Sequence, residues 1–102
     1  MLIVGIEVLI AAVTRYPDAR TAIENWQAIT TDALWRSLHE VRLTYPHADG
    51  VTLSSGTVVT VFNIRGNKYR LLTVISYPAQ IVSVRFFLTH AEYDKEKWKR
   101  QL

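Results

Sequence analysis

Three apolar, β-branched runs crowd the second half of the chain, Val58–Phe62, Tyr69–Ser76 and Ile81–Leu88, with only short breaks between them. The first break, Asn63-Ile64-Arg65-Gly66-Asn67, is polar and contains glycine, which is the signature of a hairpin. The second, Tyr77-Pro78-Ala79-Gln80, turns the chain again. After the third run comes Thr89-His90-Ala91-Glu92, where a threonine and a glutamate three residues on can cap a helix reciprocally. The region therefore predicts a three-stranded antiparallel meander with a short helix at its exit. Its chemically interesting side chains are Arg65, Lys68, Arg70, Arg85 and His90.

The first half reads differently. Leu2–Val4 can start as a short strand, and Ile6, Leu9, Ile10 and Val13 recur at one face of a helix. Tyr16-Pro17 ends that helix, because proline cannot continue it. Asp18 is a good N-cap for a second helix with apolar positions Ala22, Ile23, Trp26, Ile29 and Ala33, in which Trp26 is expected as a core anchor. Thr30-Thr31-Asp32 weakens the pattern and suggests a stop there. Ser37-Leu38-His39-Glu40 is another capping-box pattern, opening a helix of one or two turns that ends before Tyr45-Pro46. His47–Gly56, rich in polar and turn residues, reads as a loop and as the most mobile segment.

Helices first and strands together afterwards imply an α+β domain spanning residues 1–102. Two N-terminal helices are expected on one face of a small, mainly antiparallel sheet, leaving the other face for a ligand. A chain of 102 residues supports one core and not two. Met1–Val13 is nearly all apolar, but it carries Glu7, lacks a basic leader and is too short to span a bilayer, so no membrane partner is expected.

Charge narrows the function. Residues 1–56 hold four basic and six acidic side chains, whereas residues 57–102 hold eight basic and three acidic. A basic half built on a sheet is the electrostatic footprint of a nucleic-acid partner, although a basic surface kept for solubility would look the same. There is no cysteine, which removes disulfides and thiolate chemistry and suits a cytoplasmic location. His39, His47 and His90 lack zinc-site spacing, the four glycines are isolated, and no acidic pair sits as in two-metal nucleases. No cofactor or metal is expected.

Basic residues with one histidine and one tyrosine at a sheet edge are the parts a metal-free ribonuclease needs. One group takes the proton of the RNA 2′-hydroxyl, another protonates the leaving 5′-oxygen, and cations stabilise the phosphorane. Strand alternation puts Arg70 on a face with Leu72 and Val74, and Arg85 on a face with Ile81, Ser83 and Phe87. Whether the two arginines point the same way depends on the pairing register. His90 falls in the first turn of the exit helix, with Tyr93 three residues on. By spacing alone, His90 also fits an incidental residue at a capped helix start, Tyr93 a packing residue, and Lys95–Arg100 a solvated face.

Asn63-x-x-Gly66-Asn67-x-x-Arg70, then Arg85, then Thr89-His90-x-Glu92-Tyr93-Asp94 resembles the HigB-type branch of the RelE superfamily of bacterial toxins. The resemblance is sharp over Val58–Lys95; over residues 1–56 it rests on the paired helices, Tyr16-Pro17-Asp18 and Tyr45-Pro46. It implies a type II toxin that cuts messenger RNA at the ribosome, and a HigA-type helix-turn-helix antitoxin as partner. By position it implies Arg70 and Arg85 as phosphate contacts and His90 with Tyr93 as the acid/base corner. It also implies Arg65, Lys68 and Lys95 as RNA or ribosome contacts, with Asn67 beside them shaping the turn. Lys97, Lys99 and Arg100 are further candidates for docking on ribosomal RNA. The alternatives are a non-catalytic RNA- or partner-binding module on the same scaffold, and a structural protein that pairs through its sheet edge.

Overall fold

The three runs of the second half become the centre of a five-stranded sheet in a computed structural model that describes residues 1–102. Strand β1 (Leu2–Val4) leads into helix α1 (Ile6–Arg15), a 3-10 turn (Pro17–Ala19), α2 (Arg20–Asp32) and α3 (Leu38–Thr44). Strands β2 (Asp49–Thr52), β3 (Val58–Ile64), β4 (Tyr69–Ser76) and β5 (Ile81–Thr89) follow, then α4 (His90–Asp94) and a 3-10 turn at Lys97–Gln101. The sheet order is β1-β5-β4-β3-β2. Only the β1–β5 pair is parallel. The fold is thus α+β, with the expected meander as β3, β4 and β5.

Two expectations need correction. His47–Gly56 is not all loop, because Asp49–Thr52 pairs antiparallel with Val58–Val61 as an edge strand. Its sequence, Asp-Gly-Val-Thr, has little strand propensity of its own; the unpaired backbone edge of β3 supplies the partner. The apolar face of α1 is also displaced. Leu9 and Ala12 are buried, whereas Ile10 is 63% exposed and Ile29 of α2 is 46% exposed.

The main core joins Leu9 and Ala12 of α1 and Ile23 and Trp26 of α2 to Phe62, Ile64, Tyr69, Leu71, Val82 and Val84 of the sheet. Trp26 meets Phe62 edge-on, and Trp35 and Tyr45 complete the aromatic cluster around that phenylalanine. Gly5 makes the turn from β1 into α1 at φ 83°, and a Cβ there would run into the Val84 carbonyl.

Val59, Val61 and Leu72, which alternate with these, build a second, smaller core with Trp98 of the C-terminal 3-10 turn, flanked by Phe86, Leu88 and Tyr93. That face of the sheet is therefore partly covered by the C-terminal segment rather than open. Leu72 pairs with Phe86 and Thr73 with Val84, so Arg85 is the extra residue of a β-bulge. The bulge switches which residues of β5 face the main core, from Val82 and Val84 before it to Phe87 after it.

Candidate functional site

The register settles how the candidate residues are arranged. Tyr69 lies opposite Thr89 and Arg70 opposite Leu88, so the start of β4 sits beside the exit of β5. Thr89 then caps α4 as the sequence predicts. Its Oγ1 accepts from the Glu92 N–H at 3.2 Å, and the Glu92 carboxylate accepts from the Thr89 N–H at 2.9 Å. This box sets His90 and Tyr93 on successive turns of one short helix, where residues three apart are neighbours.

His90 has a partner that the sequence reading passed over. Its Nδ1 lies 2.9 Å from Asp94 Oδ2, one helical turn on. An Nδ1–H given to that carboxylate leaves Nε2 as the lone-pair nitrogen. The signal was the i,i+4 spacing of histidine and aspartate, visible but common on helices. The His90 N–H in turn donates to the Lys68 carbonyl at 3.1 Å, which ties the helix start to the β3–β4 hairpin.

Tyr93 stacks on Trp98 with ring centroids 5.5 Å apart and 11° between planes, and the Trp98 Nε1–H donates to the Tyr93 carbonyl at 3.1 Å. Burial, aided by the negative charge of Asp49, pushes the Tyr93 phenol above the ordinary tyrosine range, while Arg70 pulls the other way. At neutral pH the phenol therefore keeps its proton.

Arg70 lies against this ring, its guanidinium carbon 5.9 Å from the Tyr93 centroid. It is 9% exposed and bonds only neutral oxygens: the Asn67 and Tyr69 carbonyls at 3.1 and 3.2 Å and Asn67 Oδ1 at 2.5 Å. None of the ion pairs of the chain includes it. A nearly buried guanidinium without a carboxylate is unusual, because desolvating a charge is costly unless an anion offsets it. Asn67, expected to shape the turn, also holds this arginine. Beside it, His47, Asn63, Gly66 and Asn67 line a recess of about 470 Å³ without an apolar side chain.

Arg85 stands apart from this group. Its Nε donates to Ser83 Oγ at 2.9 Å, so it follows Ser83 and not Phe87, as the bulge dictates. Leu88, the partner of Arg70, lies three positions farther on, about 10 Å along the strand. Arg85 lines a groove of about 390 Å³ between α1 and β5 that also includes Glu7, Arg15 and Glu92.

Arg65 and Lys68 are held by Asp18, which does not cap α2 as expected; the capping position is Ala19, with no side-chain bond. The Asp18 carboxylate accepts from Arg65 at 3.0 Å, Lys68 at 2.5 Å and the Tyr69 hydroxyl at 2.8 Å. The hydrogen bond from Lys68, then that from Tyr69, holds the Asp18 carboxyl below the usual carboxylate range. The same bond raises the Lys68 ammonium, and burial followed by the Asp18 bond raises the Tyr69 phenol. Lys95 and Lys97 are exposed, and Lys99 pairs with Glu96 at 3.0 Å. No three His, Asp or Glu side chains converge as metal ligands would.

Residues 19–96 match the HigB toxin family, the RelE-like toxic component of a toxin-antitoxin system. The chain belongs to that family. As a HigB-type toxin it has an antitoxin as its counterpart, and the matched span runs from the start of α2 through α4 and so includes His90, Tyr93, Arg70 and Arg85. A comparison with curated proteins found no significant match. No helix of this toxin is long and apolar enough to cross a membrane.

Proposed function

We propose that this toxin is a metal-independent endoribonuclease that cuts messenger RNA on the ribosome in the cytoplasm and is neutralised by a HigA-type helix-turn-helix antitoxin. The observation that carries the reading is the nearly buried Arg70, a cation without a counter-ion, one strand away from the exit that bears the His90–Asp94 pair. A phosphate is the anion that this arrangement suits.

In this reading His90 Nε2 takes the proton of the 2′-hydroxyl, with Asp94 steadying the ring. The 2′-oxygen attacks phosphorus, the bond to the 5′-oxygen breaks, and Tyr93, protonated at neutral pH, donates to that leaving oxygen. Arg70 stabilises the charge of the phosphorane between these steps. The products are a 2′,3′-cyclic phosphate and a 5′-hydroxyl. Arg85, Arg65, Lys68 and Lys95 contact flanking phosphates or ribosomal RNA, and Asn67 lines the path beside Arg70.

End chemistry tests the mechanism. RNA cut by the toxin should accept label from polynucleotide kinase without prior phosphatase treatment, because its new 5′ ends are hydroxyls. New 5′-phosphate ends would contradict attack by the 2′-hydroxyl. Salt-dependent RNA binding without any cleavage would favour the non-catalytic binding module instead.

A further inference from the structure

The Asp18 carboxylate is the one acidic group that reaches across from the helical layer to the β3–β4 hairpin, and it accepts from three consecutive-region donors there, Arg65, Lys68 and Tyr69. The hairpin needs such an anchor. Its turn places Arg65 and Gly66 both in the left-handed region, at φ 54° and 64°, and for arginine that conformation is strained. Two of the three donors lead directly to the candidate site. Lys68 gives its carbonyl to the His90 N–H, and Tyr69 is the register partner of Thr89, the cap of the His90 helix.

We propose that Asp18 is a positioning residue of the ribonuclease site: by clamping Lys68 and Tyr69 it holds the strand end on which the His90 helix starts. This rests on the ribonuclease reading above, and it assigns a role in that reaction to a residue 72 positions away in sequence. Asp18 touches no reacting atom. It acts through one side-chain bond to Lys68 and one backbone bond to His90, and in parallel through Tyr69 and the β4–β5 ladder. The sign of its effect separates it from a simple charge mask. A mask would only hide Arg65 and Lys68, so removing it would tighten RNA binding and speed cleavage. A positioning residue, when removed, frees the same two cations but loosens His90, so cleavage slows while binding does not weaken.

The test uses the 102-residue chain with Asp18→Asn, Tyr69→Phe and the double variant. Backbone amide exchange is measured together with RNA affinity and single-turnover cleavage. In Asp18→Asn the His90 amide should exchange about tenfold faster than the change in global stability reported by the Leu71 and Val82 amides of the core would account for. Cleavage should slow about tenfold at unchanged or tighter RNA affinity. Tyr69→Phe should shift the same amide less, and the double variant should not exceed the sum of the singles, because both act through one carboxylate. Unchanged His90 exchange, equal acceleration of every amide, or faster cleavage would each overturn the assignment. A wild-type toxin that cuts no RNA would sink the ribonuclease reading, and the His90 amide would still decide whether Asp18 tethers that helix.

Discussion

Replacing Arg70 by methionine separates the two things a buried cation can be. If the guanidinium is a structural strut, removing it should cost as much as breaking a buried ion pair, about 3–5 kcal/mol. The structure argues otherwise, because no carboxylate is left stranded; the acceptors that lose a partner are two carbonyls and the amide of an exposed Asn67. Water can reach the Asn67 oxygens, so the main loss is the bond to the Tyr69 carbonyl, about 1 kcal/mol. Against it stands the relief from desolvating a charge that no carboxylate offsets. The folded protein should therefore be unchanged or slightly more stable in urea, within about 1 kcal/mol of wild type or above it. Cleavage should nevertheless fall by about 100-fold or more, the usual cost of removing one preorganised group from a developing oxyanion. A loss of 3 kcal/mol or more in stability, or cleavage within a few-fold of wild type, would refute the view of Arg70 as a standing anion site.

Other expectations follow from the same geometry. Trp98→Ala should destabilise the domain by about 3–5 kcal/mol in denaturant titration, because a buried ring that carries the second core is lost. Trp98→Phe can keep a ring stacked on Tyr93 but loses the Nε1–H bond and part of the buried ring, so its cost should be smaller than that of alanine, about 2 kcal/mol. His90→Ala should slow cleavage about 100-fold or more at intact fold, and Asp94→Asn should cause part of that loss with RNA affinity unchanged, since it disturbs only the orientation of the ring. Asp18 gives an acid-side prediction. Its carboxyl is held down in the folded state, so its contribution is present above the ordinary carboxylate range, near pH 4, and is lost as pH falls below it. Denaturant midpoints of wild type and Asp18→Asn should differ at neutral pH and converge in acid; a gap that persists in acid would contradict the ion-pair account.

What the sequence disclosed, and what it hid, follows from the range of the forces involved. The meander, the Thr89–Glu92 capping box and the burial of Trp26 depend on neighbours within a few residues or on a large apolar surface, and they were legible. Strand β2 was not, because an edge strand of Asp-Gly-Val-Thr is ordered by the backbone of β3 rather than by its own side chains. The bulge at Arg85 was invisible for a related reason: one extra residue reverses the alternation beyond it, and nothing in Ser83-Val84-Arg85-Phe86 announces it. Asp18 looked like a helix cap because Asp before a helix so often is one. Its real partners lie at Arg65, Lys68 and Tyr69, a distance in sequence that no local pattern spans. The pairing of Arg70 with Tyr93 needed the register, and the register needed the sheet.

The central claim is ribosome-linked cleavage by the His90 corner, and primer extension on a defined messenger in a translating extract tests it most directly. Wild-type toxin, freed of antitoxin, should produce new 5′ ends confined to codons. Those ends should vanish when translation is blocked and when His90→Ala replaces the wild type. A messenger that stays whole with folded wild-type toxin, or one cut equally by His90→Ala, would contradict it.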